Sequence, residues 1–227
     1  RRAGQLPDIQ HESPIPAQRE RLAPQPEDLV GNGGAYAHCE ALAYPPAQGM
    51  DAGATNYTDL IARSVQANAG IWAQRLNVTT GANQVSADHG KVRKTAASGD
   101  APAFALDVGA LGGMYSQKIV LVGTEHGVGV RNAGAIGAQT GQLVVTVDGR
   151  LENRGTMQAR TDIRIDASGG LANTGTLSAG RELAVNTPED IDNRRGTLNA
   201  RRIEATARSL TNRDGAIGQT GLQDLVL

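Results

Sequence analysis

The sequence predicts an all-β fold: a parallel β-helix, a solenoid of about 20-residue coils, behind an N-terminal segment expected to be irregular or disordered. Three observations predict it. A short apolar–x–Asn pattern followed by Gly returns at near-constant spacing, and aliphatic residues stand two apart between its returns. In addition, 29 glycines beside 1 Trp, 4 Tyr and 1 Phe leave Ala, Val, Ile and Leu to fill the interior.

The repeating pattern reads VRNAGAIGA, LENRGTMQA, LANTGTLSA, IDNRRGTLNA and LTNRDGAIG. Its asparagines are Asn132, Asn153, Asn173, Asn193 and Asn212, spaced by 21, 20, 20 and 19 residues. A period near 20 marks a stacked solenoid. The pairs Leu143/Val145, Ile163/Ile165, Leu183/Val185 and Ile203/Ala205 keep the alternation of a strand with one face inward. Ile136, Met157, Leu177 and Leu198 mark a second inward stretch in each unit. No unit offers the i, i+3, i+4, i+7 spacing that a helical repeat needs. A single coil buries too few aliphatics to offset the entropy of ordering it, so each coil depends on its neighbours.

The asparagine column is expected to form an amide ladder inside the turns, each side chain bonding the ones above and below. The turn glycines Gly134, Gly155, Gly175, Gly196 and Gly215 are expected to supply φ > 0. Arg195, an extra residue between Asn193 and Gly196, predicts a bulged turn. Asp162, Glu182 and Arg202 each precede an inward residue and should form an outward file, in which Glu182 and Arg202 can pair.

Several functional classes find no support. A formal charge of −1 argues against nucleic acid as a partner, and no apolar window is long enough for a membrane span. One Cys closes no internal disulfide, and Cys39 with His38, His11 and Glu12 lacks the ligand spacing of a metal site. No cofactor is expected: Gly127-Val128-Gly129 lacks a third glycine at Asn132 and no helix follows. No catalytic residues are expected either. Asp162, Glu182 and the group Glu189, Asp190, Asp192, read as a turn beside Pro188, have no supporting His or aromatic sugar platform, which sets aside a β-helical polysaccharide lyase or hydrolase.

The chain divides into three stretches. Residues 1–50 hold seven of the 9 prolines and no periodicity, and read as a linker-like segment. Residues 51–125 keep less regular strand signals, in IWAQRLNVTT and KIVLVG, interrupted from Ser86 to Pro102 by a polar loop or hairpin. That loop carries Lys91, Arg93 and Lys94, a charge cluster read as solvated, with contact to sulfated glycans or a partner surface as the alternative. Residues 126–227 hold the regular repeats.

The stretches from Tyr57 to Val85 and from Phe104 to Ala138, with the N-x-G-T-L-x-A repeats after them, resemble the filamentous haemagglutinin family. These are two-partner secretion exoproteins of Gram-negative bacteria, and they include contact-dependent growth inhibition proteins. The resemblance implies a right-handed β-helix in which 51–125 is the end of the haemagglutination and secretion domain and 126–227 opens the shaft. It implies a non-enzymatic structural and adhesive rod, a haemagglutinin or adhesin at the cell surface or in the medium. The stick region of a toxin carrier is the alternative. The implied partners of the full-length parent are an outer-membrane transporter and a receptor or glycan on a host or neighbouring cell. Residues 1–50 show no likeness to the family's signal peptide and Asn-Pro motifs, so export of this chain by itself is not expected. The C-terminal residues Leu225 and Leu227 are expected to leave an aggregation-prone sheet edge.

Overall fold

The computed structural model describes residues 42–44, 49–54, 56–86, 91–223 and 225–227, with the backbone alone for 42–44. The expectations for His11, Glu12, His38 and Cys39 lie outside these residues. Among the described residues the chain forms 23 strands and no helix.

Short runs of alternating aliphatics separated by Gly, Asn and Asp turns wind into a solenoid of about eight turns. One wall is an eight-stranded parallel sheet that collects one strand per coil: Leu42–Tyr44, Val65–Ala67, Phe104–Val108, Gly129–Asn132, Leu151–Asn153, Leu171–Asn173, Asp190–Asp192 and Ser209–Thr211. The other two walls belong to one 13-stranded sheet, because Gly70–Thr80 and Gly113–Gly123 run unbroken for 11 residues around the corner between them. In later coils the chain breaks at that corner, so Ala135–Ala138 and Leu143–Val147 stack separately on the two halves of Gly113–Gly123.

The register carries the repeat into space. Leu143 lies over Ile119 and under Ile163, which is followed by Leu183 and Ile203. Met114, Ile136, Met157, Leu177 and Leu198 form a second column. All ten side chains are buried in one continuous core. Each rung therefore gains a hydrogen-bond ladder and apolar contact from both neighbours, as nearest-neighbour stabilisation requires.

The first coil starts ahead of the boundary that composition places at residue 50: Leu42–Tyr44 pairs with Val65–Ala67, and Met50–Ala52 with Ile71–Ala73. Such three-residue strands are held by backbone pairing and leave no periodic trace in the sequence. The irregular middle interval contains an antiparallel hairpin of Asn83–Val85 with Val92–Lys94, inserted between two coils.

Candidate functional site

The turns between the first and second walls hold the asparagines. Asn132, Asn153, Asn173 and Asn193 are fully buried and stand one above another. The Nδ2 of Asn132 donates to Oδ1 of Asn153 at 2.8 Å, Asn153 to Asn173 at 2.8 Å, Asn173 to Asn193 at 2.6 Å and Asn193 to Asn212 at 2.6 Å. The second amide hydrogen reaches a backbone carbonyl of the next coil, from Asn132 to Thr156, Asn153 to Thr176, Asn173 to Thr197 and Asn193 to Ala216, at 3.2–3.3 Å. A buried polar side chain is tolerated because its partners are supplied by the same side chain one coil away.

The ladder ends on an unpaired acceptor. Oδ1 of Asn132 is buried with no hydrogen-bond partner among the described residues, and Val108 occupies the rung beneath it. Val108→Thr, nearly isosteric, puts a hydroxyl donor below that oxygen and is expected to raise stability by about 1 kcal/mol, where a buried Val→Thr change ordinarily costs stability. A denaturant midpoint at or below that of the parent chain would count against the orphaned acceptor.

The glycines serve a purpose other than the one expected. None of Gly134, Gly155, Gly175, Gly196 or Gly215 has positive φ. A Cβ on Gly155 or Gly175 would fall 2.0 Å from the carbonyl oxygen of the glycine one coil below, and one on Gly134 would fall 2.1 Å from Gly112 O. At Gly196 and Gly215 the obstructing oxygens are those of Asn173 and Asn193, at 2.3 and 2.2 Å. These glycines permit close approach between coils. Where a residue is inserted before the glycine, the insert itself takes the left-handed conformation: Arg195 at φ 60 and Asp214 at φ 55.

On the outside, Asp162, Glu182 and Arg202 share one vertical file. Arg202 donates to Glu182 at 3.2 Å and also reaches Glu204 at 3.1 Å. Asp162 is gripped by both arms of Arg181, whose Nε stands 2.7 Å away. Asp190–Asp192 is a wall strand, so the acidic group is only partly in the turn where sequence placed it: backbone pairing to Leu171–Asn173 and Ser209–Thr211 extends it. Arg208 pairs with Glu189 and Asp190, and Arg194 with Asp192. Arginine hydrogen bonds hold the carboxyls of Asp162, Asp190 and Asp192 below the usual range. A general acid needs a raised value. Glu125, beside Arg63, is lowered as well. No group of three or more His, Cys, Asp or Glu among the described residues can hold a metal ion.

The hairpin is tied to the column. Its Lys94 donates to Asp148 at 2.6 Å, while Nδ1 of His126 and Oγ of Ser168 stand 3.2 and 3.0 Å from the same carboxylate. Arg63 binds Glu125 with two hydrogen bonds, of 3.0 and 2.8 Å, and the carbonyl of Ser98 at 2.6 Å. Lys91, Arg93 and Lys94 are all exposed, and Lys94 is paired with Asp148. The Lys94 ammonium, with smaller help from His126 and Ser168, brings Asp148 down to about 2. Because the folded value is depressed, this stabilisation is complete above about pH 4 and is lost as the pH falls through about 2. It should amount to about 1 kcal/mol, since Lys94 is largely exposed and screened. Between pH 4 and 2, the unfolding midpoint of Asp148→Asn should therefore fall less steeply than that of the parent chain.

Two aromatic rings missed by the repeat analysis lie on the outer wall of the early coils. Trp72 and Tyr115 are register partners, stacked with centroids 5.9 Å apart and planes 19° from parallel.

Residues 43–153 match the TPS secretion domain family. The chain belongs to the two-partner secretion family. The match crosses the boundary placed at 125 and takes in the first rung of the asparagine ladder. This two-partner secretion chain is 52% identical over 131 residues to "Toxin CdiA" of Yersinia pestis, covering 57% of the chain and 4% of that protein. It is 48% identical over 103 residues to "tRNA nuclease CdiA-2" of Burkholderia pseudomallei, covering 45% and 3%. It is also 39% identical over 153 residues to "tRNA nuclease CdiA" of Escherichia coli strain NC101, covering 67% and 4%. The chain thus spans about 4% or less of the length of these curated relatives. No solved structure matches.

Proposed function

We propose that this two-partner secretion chain is a non-enzymatic export and stalk module of a large exoprotein whose toxic activity resides elsewhere in its length. The observation that carries this reading is the TPS secretion domain match, which runs without interruption into the repeats of one continuous core. The relatives named as toxins and nucleases favour the toxin-carrier alternative over the haemagglutinin expectation. The arginine-paired carboxylates support a structural wall over a hydrolytic one. In this reading the parent crosses the outer membrane of a Gram-negative bacterium through a dedicated transporter and is displayed at the cell surface. No described helix is long and apolar enough to cross a membrane.

The test is to place the full chain behind a periplasmic export signal and co-express it with the transporter of a matching system. Appearance in the medium only when the transporter is present is the expected result; equal amounts with and without it would refute the export role. The purified chain should leave tRNA intact, and Asp162→Asn with Glu182→Gln should change neither outcome. A second, adhesive reading is favoured by the outward-facing aromatic pair on the outer wall, an exposed Trp72 stacked on a half-buried Tyr115.

A further inference from the structure

The outer wall carries a notch that the repeat does not explain. Tyr115, Gly137 and Gln158 occupy the same outward position in three successive coils. Trp72 covers Tyr115 from the coil below, so the opposite face of the Tyr115 ring is turned toward the next coil, where Gly137 stands over the base of the side chain and Ala135 over Gly113. A Cβ built on Gly137 would meet Tyr115 Cδ1 at 3.6 Å and nothing else within 4 Å. The glycine thus leaves open space above an aromatic face. This differs from the turn glycines, where backbone fills that space.

The dimensions suit one ring. Tyr115 and Gln158 are two rungs apart, about 10 Å at the usual strand spacing. A flat or chair-shaped ring in van der Waals contact with both walls takes up about 7–8 Å. The rim is polar, mostly of neutral amides, with the exposed Arg160 two residues beyond Gln158 as its one cation in that column. Gln158 and Gln139 are exposed beside the notch, Gln117 is exposed two residues beyond Tyr115, and none of the three amides makes a side-chain hydrogen bond among the described residues. Tyr115 itself is held in place, its ring folded back over Gly113, where a Cβ would come within 2.7 Å of it.

We propose that this notch binds one pyranose ring of a neutral glycan, stacked on Tyr115 and hydrogen-bonded through its hydroxyls by the flanking glutamines. An aromatic floor with unspent amide donors and acceptors at its edge fits a polyhydroxylated ring. The proposal deepens the adhesive reading and rests on it.

Trp72 is the chain's one tryptophan and touches the far side of Tyr115, so its emission reports on the notch. The experiment applies the full chain to a printed array of neutral and sulfated glycans, then follows Trp72 emission while titrating the neutral hexasaccharide that binds best. Binding should be insensitive to salt, preserved in Tyr115→Phe, and weakened about tenfold or more in Tyr115→Ala and in Gly137→Gln, which fills the notch. Gly137→Gln should keep the parent's circular dichroism and unfolding midpoint, since its Cβ meets open space. Neutral-glycan binding that Gly137→Gln leaves intact overturns the notch while the adhesive reading stands. Binding confined to sulfated glycans and abolished by salt overturns the notch in favour of a charged surface. No binding anywhere on the array overturns both.

Discussion

Asn173→Ala is expected to lower stability by about 2–4 kcal/mol, well above the effect of an ordinary polar truncation. The truncation deprives Asn193 Oδ1 of its 2.6 Å donor and Asn153 Nδ2 of its 2.8 Å acceptor, both in places sealed from water. Asn153 retains weaker bonds to Gly155 O and Thr176 O, at 3.3 and 3.2 Å, so most of the cost falls on the orphaned Asn193 oxygen. Asn212→Ala is the internal comparison. Its amide is half-buried and removes one rung contact instead of two, so it should cost less than half as much. Equal denaturant midpoints for the two variants would mean that the column contributes through turn geometry and not through bonds between coils.

Gly155→Ala should be at least as damaging, on the order of 3 kcal/mol or more, because the strain has nowhere to go. Its Cβ would lie 2.0 Å from Gly134 O and 2.8 Å from Ala133 C, and both are backbone atoms fixed by the rung below. Relief requires the coils to part, which would lengthen the Thr156 N–H to Gly134 O bond of 2.9 Å and loosen the core beneath. Gly137→Ala supplies the contrast. With space around its Cβ, it should be neutral or stabilise by about 0.5 kcal/mol through the unfolded chain. Thermal unfolding of the two variants side by side reads the difference, and similar midpoints would refute the close-approach account.

Much of the later solenoid was legible because each coil repeats its neighbour: Ile163, Leu183 and Ile203 recur at the spacing that puts them in one column. The early coils were harder to read for a specific reason. Along Gly70–Thr80 the inward residues Ile71 and Leu76 are five apart, as are Met114 and Ile119 along Gly113–Gly123. An odd step reverses the alternation where the strand turns the corner, and a search for even spacing loses the signal there. At the second of these corners Ser116 points inward and spends its hydroxyl on the Gln74 and Lys118 carbonyls.

The outer wall was only partly legible. Glu182 and Arg202 share a file at the repeat spacing, so their pairing could be anticipated. Asp162 is held by Arg181 instead, a residue on the corner one position out of file, which periodicity alone does not connect to it. The link from Lys94 to Asp148 joins positions 54 apart through an insertion and has no counterpart in other coils. The glycines were recognised as turn residues, but their true constraint is distance to the rung below, a quantity that exists only once the coils are stacked. The Tyr115 notch was invisible for the same reason: it takes three coils to make.

The side-chain amides of the asparagine column all point the same way, Nδ2 toward the later coil and Oδ1 toward the earlier one. Their dipoles add, so the row has a head and a tail, and each bond polarises the next. A coil laid down on the column is met by a donor and must answer with an acceptor at one height. A strand arriving shifted by a residue, or upside down, brings no side-chain amide oxygen to that height. The row therefore works as a keyed coupling, admitting each successive turn in a single alignment and giving the wall a built-in sense of direction.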